Sequence, residues 1–110
     1  MLVRNQEEVE TVTYSEDAKG VEMRPLITER EGAPRFAMRV FTLHPEGYTP
    51  YHAHDWEHEV YVLDGTGSVR SKDGQRPLRG GDSVFLAPRE EHQFRAGAEG
   101  LRFICCVPHH

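Results

Sequence analysis

The chain is predicted to be all-β, an antiparallel sandwich or barrel, on three observations. Clusters of turn-forming residues recur at 31–34, 45–47, 64–67, 72–74, 80–82 and 97–100. Between them lie short runs rich in Val, Phe, Tyr, Ile and Leu, at 36–43, 59–63, 67–71, 83–87, 93–95 and 101–107. No stretch sustains a helical period beyond one turn. Short apolar runs at such spacing belong to sheets rather than to bundles or alternating α/β units.

Taken in order, residues 9–14 alternate weakly and read as an edge strand within an N-terminal arm spanning 1–20. The run 36–43 (FAMRVFTL) carries one charge, Arg39, inside an otherwise apolar strand. Such an arginine either reaches into a barrel to hold a carboxylate, or runs along the sheet and pairs across a subunit boundary. The second is its commoner use. In Val60-Tyr61-Val62-Leu63 and in Phe103-Ile104-Cys105-Cys106 both strand faces are apolar. One face can line an interior, and the other needs a cover from a second sheet or a second subunit, so a homodimer is expected. Cys105 and Cys106 are adjacent and face opposite ways on a strand, which excludes a disulfide framework and leaves two small half-buried hydrophobes. His109 and His110 read as a frayed end. With no repeat or linker in view, residues 1–110 are expected to form a single domain.

Composition narrows the function. A net charge of −5 with 37% hydrophobic and 28% charged residues excludes general disorder. The acidic balance argues against a nucleic-acid partner, because phosphate binding needs concentrated Lys and Arg. No apolar run is long enough to span a bilayer, and residues 1–10 hold no signal-peptide core, so a cytoplasmic protein with no membrane contact is expected.

Three of the seven histidines crowd into Tyr51-His52-Ala53-His54-Asp55-Trp56-Glu57-His58-Glu59. His52 and His54 share a strand face, and His58 keeps that parity if the intervening turn preserves register. A fourth, His92, follows the glycine-bounded strand that starts at Gly81. Clustered imidazoles repel one another when protonated and are costly to bury neutral without partners. A divalent transition ion takes a lone pair from each ring and resolves both problems, so His52, His54, His58 and His92 are the candidate metal ligands. Glu59 competes for the fourth place if the register shifts. His44, outside the cluster, reads as an ordinary turn histidine.

At these residues the sequence resembles the cupin superfamily. That family's first motif runs from a glycine through HxH to a glutamate and a closing glycine. Here Gly47 precedes His52 and His54, Gly65 closes the segment, and His58 stands in the glutamate's place. The second motif matches at Gly81 and His92. Gly47 lies one residue nearer the first histidine than the pattern asks, and Ala87 and Arg89 stand where proline and glycine are usual. The resemblance covers about 36–107 and implies a double-stranded β-helix, or jelly-roll, barrel with one divalent metal: manganese, iron, zinc or nickel. Four neutral imidazoles leave the full +2 charge at such a centre, which favours an anionic oxygen ligand.

The expected activity is that of a metal-dependent enzyme on a small oxygenated metabolite, through dioxygenase, isomerase or cyclase, or decarboxylase or lyase chemistry. The alternative is a non-catalytic module that binds or senses a sugar or sugar acid. No residue stands out as a general base; Glu57, Glu59 and Tyr51 lie nearest. Tyr51 and Trp56 flank the histidines and are candidates for a pocket mouth.

Overall fold

Seven antiparallel strands carry most of the backbone in the computed structural model, which describes residues 1–110. They are β1 (Val12–Tyr14), β2 (Lys19–Ile27), β3 (Phe36–Tyr48), β4 (His58–Ser71), β5 (Gly74–Arg79), β6 (Ser83–Leu86) and β7 (His92–Pro108). Helix is confined to two three-residue 3₁₀ turns, Gln6–Glu8 and Glu29–Glu31. Each starts with a capping box, from Asn5 and Thr28, that satisfies the free amides of a turn too short to satisfy its own.

The strand order is β1-β2-β3-β7-β4-β5, with β6 added to β4. Closure comes from three long strands, β3, β4 and β7, that bend at breaks in register, and β4 also exchanges β6 for β5 along one edge. β3 pairs with β7 from Phe36↔Pro108 to Leu43↔Leu101, breaks register, and meets it again at Tyr48↔Arg95. β4 pairs with the second half of β7 over Glu59↔Cys106 to Gly65↔Leu101. It pairs with the first half over Gly67↔Ala96 to Ser71↔His92. Strands that pass from one sheet to the other in this way make a jelly-roll barrel. At the crossing a side chain has no room: a Cβ on Gly65 would be driven into the Gly100 carbonyl, and Gly65 itself sits at φ +89°.

Three of the six turn clusters are therefore bends inside strands. Residues 45–47, 64–67 and 97–100 fall within β3, β4 and β7, so the separate runs 59–63 and 67–71 are one strand, as are 93–95 and 101–107. Two strands escaped the sequence reading. In β2 only Val21 and Met23 are buried and Pro25 interrupts the run, and in β5 only Leu78 is buried. The core is built from alternate residues of the long strands. Leu43, Leu101, Val21 and Val62 are its most enclosed side chains, each contributing roughly 1.5–3 kcal/mol by burial. No helix is long and apolar enough to cross a membrane.

Candidate functional site

The segment 49–52 is laid along the start of β7. Thr49 N–H donates to the Phe94 carbonyl at 2.9 Å, Phe94 N–H returns to the Thr49 hydroxyl at 2.9 Å, and Gln93 Nε2 donates to the Thr49 carbonyl at 2.9 Å. His52 and His92 then exchange backbone hydrogen bonds at 3.1 and 2.9 Å. This pairing sets His52 against the first residue of β7, while His58 opens β4 directly opposite Leu86. The sequence-predicted ligands thus meet. Ring centroids are 4.3 Å apart for His52–His54, 5.0 Å for His52–His92, 5.3 Å for His54–His58 and 5.0 Å for His58–His92.

All four rings line one cavity of about 870 Å³, together with Arg39, Cys105, Tyr51 and Trp56. That is within the usual span of small-molecule sites, roughly 300–1,000 Å³. Its wall is aromatic: Tyr14, Phe41, Phe103 and Phe94 stack in succession, with centroids 6.1, 5.2 and 4.5 Å apart and planes within 29°.

The rings are held as neutral donors. Burial is the main cause in each case. It pushes His58 down to about 3, helped by His92, Arg39, His54 and His52, and His52 down to about 4, helped by His54 and His92. His54 is lowered by burial, then by His92, Arg39 and His110, against an opposing pull from Asp55. His92 is also lowered by burial, with its bond to the Glu90 carbonyl opposing. That bond, 2.9 Å from Nδ1, places the proton on Nδ1 and leaves the Nε2 lone pair free. In His58, Nδ1 lies 3.4 Å from Cys105 Sγ, and Nε2 is buried with no partner at all. A buried polar nitrogen left without a partner costs roughly 1–3 kcal/mol.

These residues fit a divalent ion. With metal–nitrogen distances of about 2.0–2.1 Å, imidazoles sharing one ion have centroids roughly 4.5–6.5 Å apart, close to the spacings here. The nitrogens themselves do not close on a common point: no three His, Cys, Asp or Glu side chains form a finished metal cage.

The other sequence candidates divide. Glu59 is exposed and does not line the cavity; its carboxyl is pushed up by a hydrogen bond with Glu57, and it lies on the strand face opposite His58. Glu57 is likewise exposed and outside the cavity, so two of the three candidate bases are misplaced. Tyr51 lines it, with the Arg70 guanidinium 4.3 Å over its ring. Glu16 and Asp17, from the turn between β1 and β2, are the carboxylates that do reach the cavity. Nothing in their local sequence marked them, because β2 itself was not recognised. Arg39 takes the less common of its two expected positions, inside the barrel. His44 sits on the surface, 3.0 Å from Glu22. The chain end is not frayed: His109 N–H donates to Arg35 O at 2.9 Å, and His110 stacks on Trp56 at 3.6 Å, with His54 on Trp56 at 4.5 Å.

The family model described as a cupin domain matches residues 39–107. The chain belongs to the cupin family. Among solved structures, this cupin is similar to the polyketide cyclase RemF from Streptomyces resistomycificus. The two are 32% identical, with 98% of this chain and 79% of that chain covered and a TM-score of 0.91. It is also similar to a cupin 2 domain-containing protein from Halorhodospira halophila, at 34% identity over 87% and 68% of the two chains and a TM-score of 0.77. A predicted oxalate decarboxylase from Thermotoga maritima aligns at 25% identity over 97% and 98%, with a TM-score of 0.83. Comparison with curated proteins gives no match.

Proposed function

We propose that this cupin is a metal-dependent enzyme of isomerase or cyclase type acting on a small oxygenated metabolite. His52, His54, His58 and His92 would hold one divalent transition ion, whether manganese, iron, zinc or nickel. The observation that carries the reading is His58 Nε2, a buried ring nitrogen without a partner, among four imidazoles held uncharged. Similarity to a polyketide cyclase at 32% identity supports the reaction class, and the aromatic wall supports an organic substrate over a simple inorganic ion.

When bound, the ion supplies a Lewis acid for a substrate oxygen. The chain supplies the rest. The Glu90 carbonyl holds the proton of His92 on Nδ1, Cys105 contacts Nδ1 of His58, and Trp56 braces the ring of His54. The stacked wall displaces water from one side of the substrate. The Tyr51 phenol and the Glu16 and Asp17 carboxylates are the cavity groups placed to take or give a proton. A second copy of the chain is the proposed cover for the barrel's outer face, where Phe36, Tyr61 and Phe85 stand at least half exposed.

Elemental analysis of protein purified without a histidine tag or added metal tests the centre, followed by turnover assays on hydroxy-ketones and poly-ketones. About one equivalent of metal per chain and catalytic turnover are expected. No metal retained after reconstitution with each of the four ions would overturn the metal centre. Tight metabolite binding without turnover would replace the enzyme with a sugar-acid or other small-molecule binding module.

A further inference from the structure

Arg39 is a charge without a counter-charge. Its guanidinium lies inside the barrel wall, 5.1 Å from the Phe41 centroid, and takes part in none of the ion pairs in the protein. Of its five N–H donors, one set at Nη2 meets only a thiol, Cys105 Sγ at 3.2 Å, and Nε is enclosed with no partner. A thiol is a weak acceptor, and imidazole rings supply no negative charge, so nothing in the cavity wall around Arg39 offsets the charge. The carboxylates at the cavity, Glu16 and Asp17, are not within ion-pair distance of it. The ring directly beside Arg39, Phe41, is the middle of the Tyr14–Phe41–Phe103–Phe94 stack. Positive charge and an apolar aromatic wall therefore adjoin one another, with Arg39 and Phe41 two residues apart on β3.

We propose that Arg39 and the Phe41–Phe103–Phe94 wall form a subsite for a planar, conjugated oxyanion, an aromatic carboxylate or the enolate of an extended conjugated ketone. The inference rests on the reading of this cavity as the substrate site, and it names the substrate class. The wall makes apolar aromatic contact with the ligand's ring, and the guanidinium takes its oxyanion in charge-assisted hydrogen bonds. A cavity of about 870 Å³ leaves room for more than one ring. Arg39 is then a specificity-determining residue that reads charge, while the wall reads shape.

The test uses metal-free protein and three probes in calorimetric titration: 2-naphthoate, its neutral analogue 2-naphthamide, and cyclohexanecarboxylate, which keeps the charge and loses the flat ring. Naphthoate is expected to bind roughly 10- to 100-fold more tightly than naphthamide, the scale of a charge-assisted contact. Cyclohexanecarboxylate should be weaker than naphthoate by about tenfold or more, reflecting the missing ring contact. Arg39→Gln should bring naphthoate down to the affinity of naphthamide, and Arg39→Lys should keep most of the preference. Equal binding of naphthoate and naphthamide by the wild type overturns the proposal without any variant. So does undiminished naphthoate binding in Arg39→Gln, or cyclohexanecarboxylate binding as tightly as naphthoate. Zinc titration of Arg39→Gln separates this from the metal reading: zinc binding is expected to be retained. Loss of zinc would make Arg39 part of the metal architecture and overturn the subsite. A wild type that binds naphthoate but no zinc would leave the subsite standing and remove the metal centre.

Discussion

The two faces of the paired strands β4 and β7 differ sharply, although they are made from alternating residues of the same segments. His58, Val60, Val62, Phe103 and Cys105 are buried, turned inward to the core and cavity. Glu59 and Tyr61, the residues between them, are exposed, and Ile104 and Cys106 only partly covered. A shift of one residue in register would exchange the two sets, placing a carboxylate where an imidazole stands. The chemistry of this cupin is thus set by parity, and parity can be tested residue by residue.

The largest effect is expected at the first pair. His58→Ala should lower zinc affinity by more than the roughly 10- to 100-fold typical of a supporting residue, because it removes a donor outright. Glu59→Ala should leave affinity within about twofold, since a solvent-facing carboxylate outside the cavity adds little. Competition titration against a chromogenic chelator measures both. The reverse order would show that the ligand set runs through Glu59 and that the inner face is misassigned.

Acid should separate the faces next. Folded-state values of about 3 for His58 and about 4 for His52 lie below the ordinary 6.5. As pH falls below 6.5 the unfolded chain takes up protons at these sites, while the folded chain does so only near 4 and then near 3. The unfolded state binds more protons in that window, so the metal-free protein loses stability from pH 6.5 downward. The melting temperature, followed calorimetrically between pH 7.5 and 5, should decline over an interval where most carboxylates remain ionised. His58→Gln should flatten the decline, and a wild-type melting point constant across the window would contradict the buried, neutral cluster.

Much of this could be read before the fold was seen, and the omissions have physical reasons. His52 and His54 are legible because two-residue spacing fixes a shared face, whereas His58 needs the intervening turn to keep register and His92 is brought in by backbone pairing with His52. Arg39 was legible only as an alternative, since sequence does not show which strand covers β3 or whether a carboxylate waits there. The bends at 45–47, 64–67 and 97–100 read as turns in the sequence because glycine serves both uses, and only the close backbone approaches at Gly47 and Gly65 distinguish them. β2 and β5 lacked a signal because each buries so little that their alternation drowns in charge and proline.

The adjacent cysteines give a smaller contrast of the same kind. Burial pushes both thiols up, Cys105 against an opposing pull from Arg39, so each stays protonated. Only Cys105 touches His58 and Arg39. Cys105→Val should weaken zinc binding about tenfold by freeing the His58 ring, Cys105→Ser should restore most of it, and Cys106→Val should change it little. A valine as good as serine at 105 would reduce the thiol to packing.

The smallest effect on folding belongs to the outer face. Leu43→Ala, inside, should cost about 2–5 kcal/mol, as large-to-small core changes do. Phe85, 62% exposed and opposite Glu59 on β6, should tolerate Phe85→Ser within about 0.5 kcal/mol of monomer stability. Its consequence should appear instead in association. Sedimentation velocity at micromolar concentration should find the wild type dimeric, and the pair Tyr61→Lys and Phe85→Lys shifted toward monomer, because two like charges would be buried against their own copies at a two-fold contact. A wild type that stays monomeric would leave these rings without the proposed cover. A dimer indifferent to both lysines would move the contact to another part of the barrel.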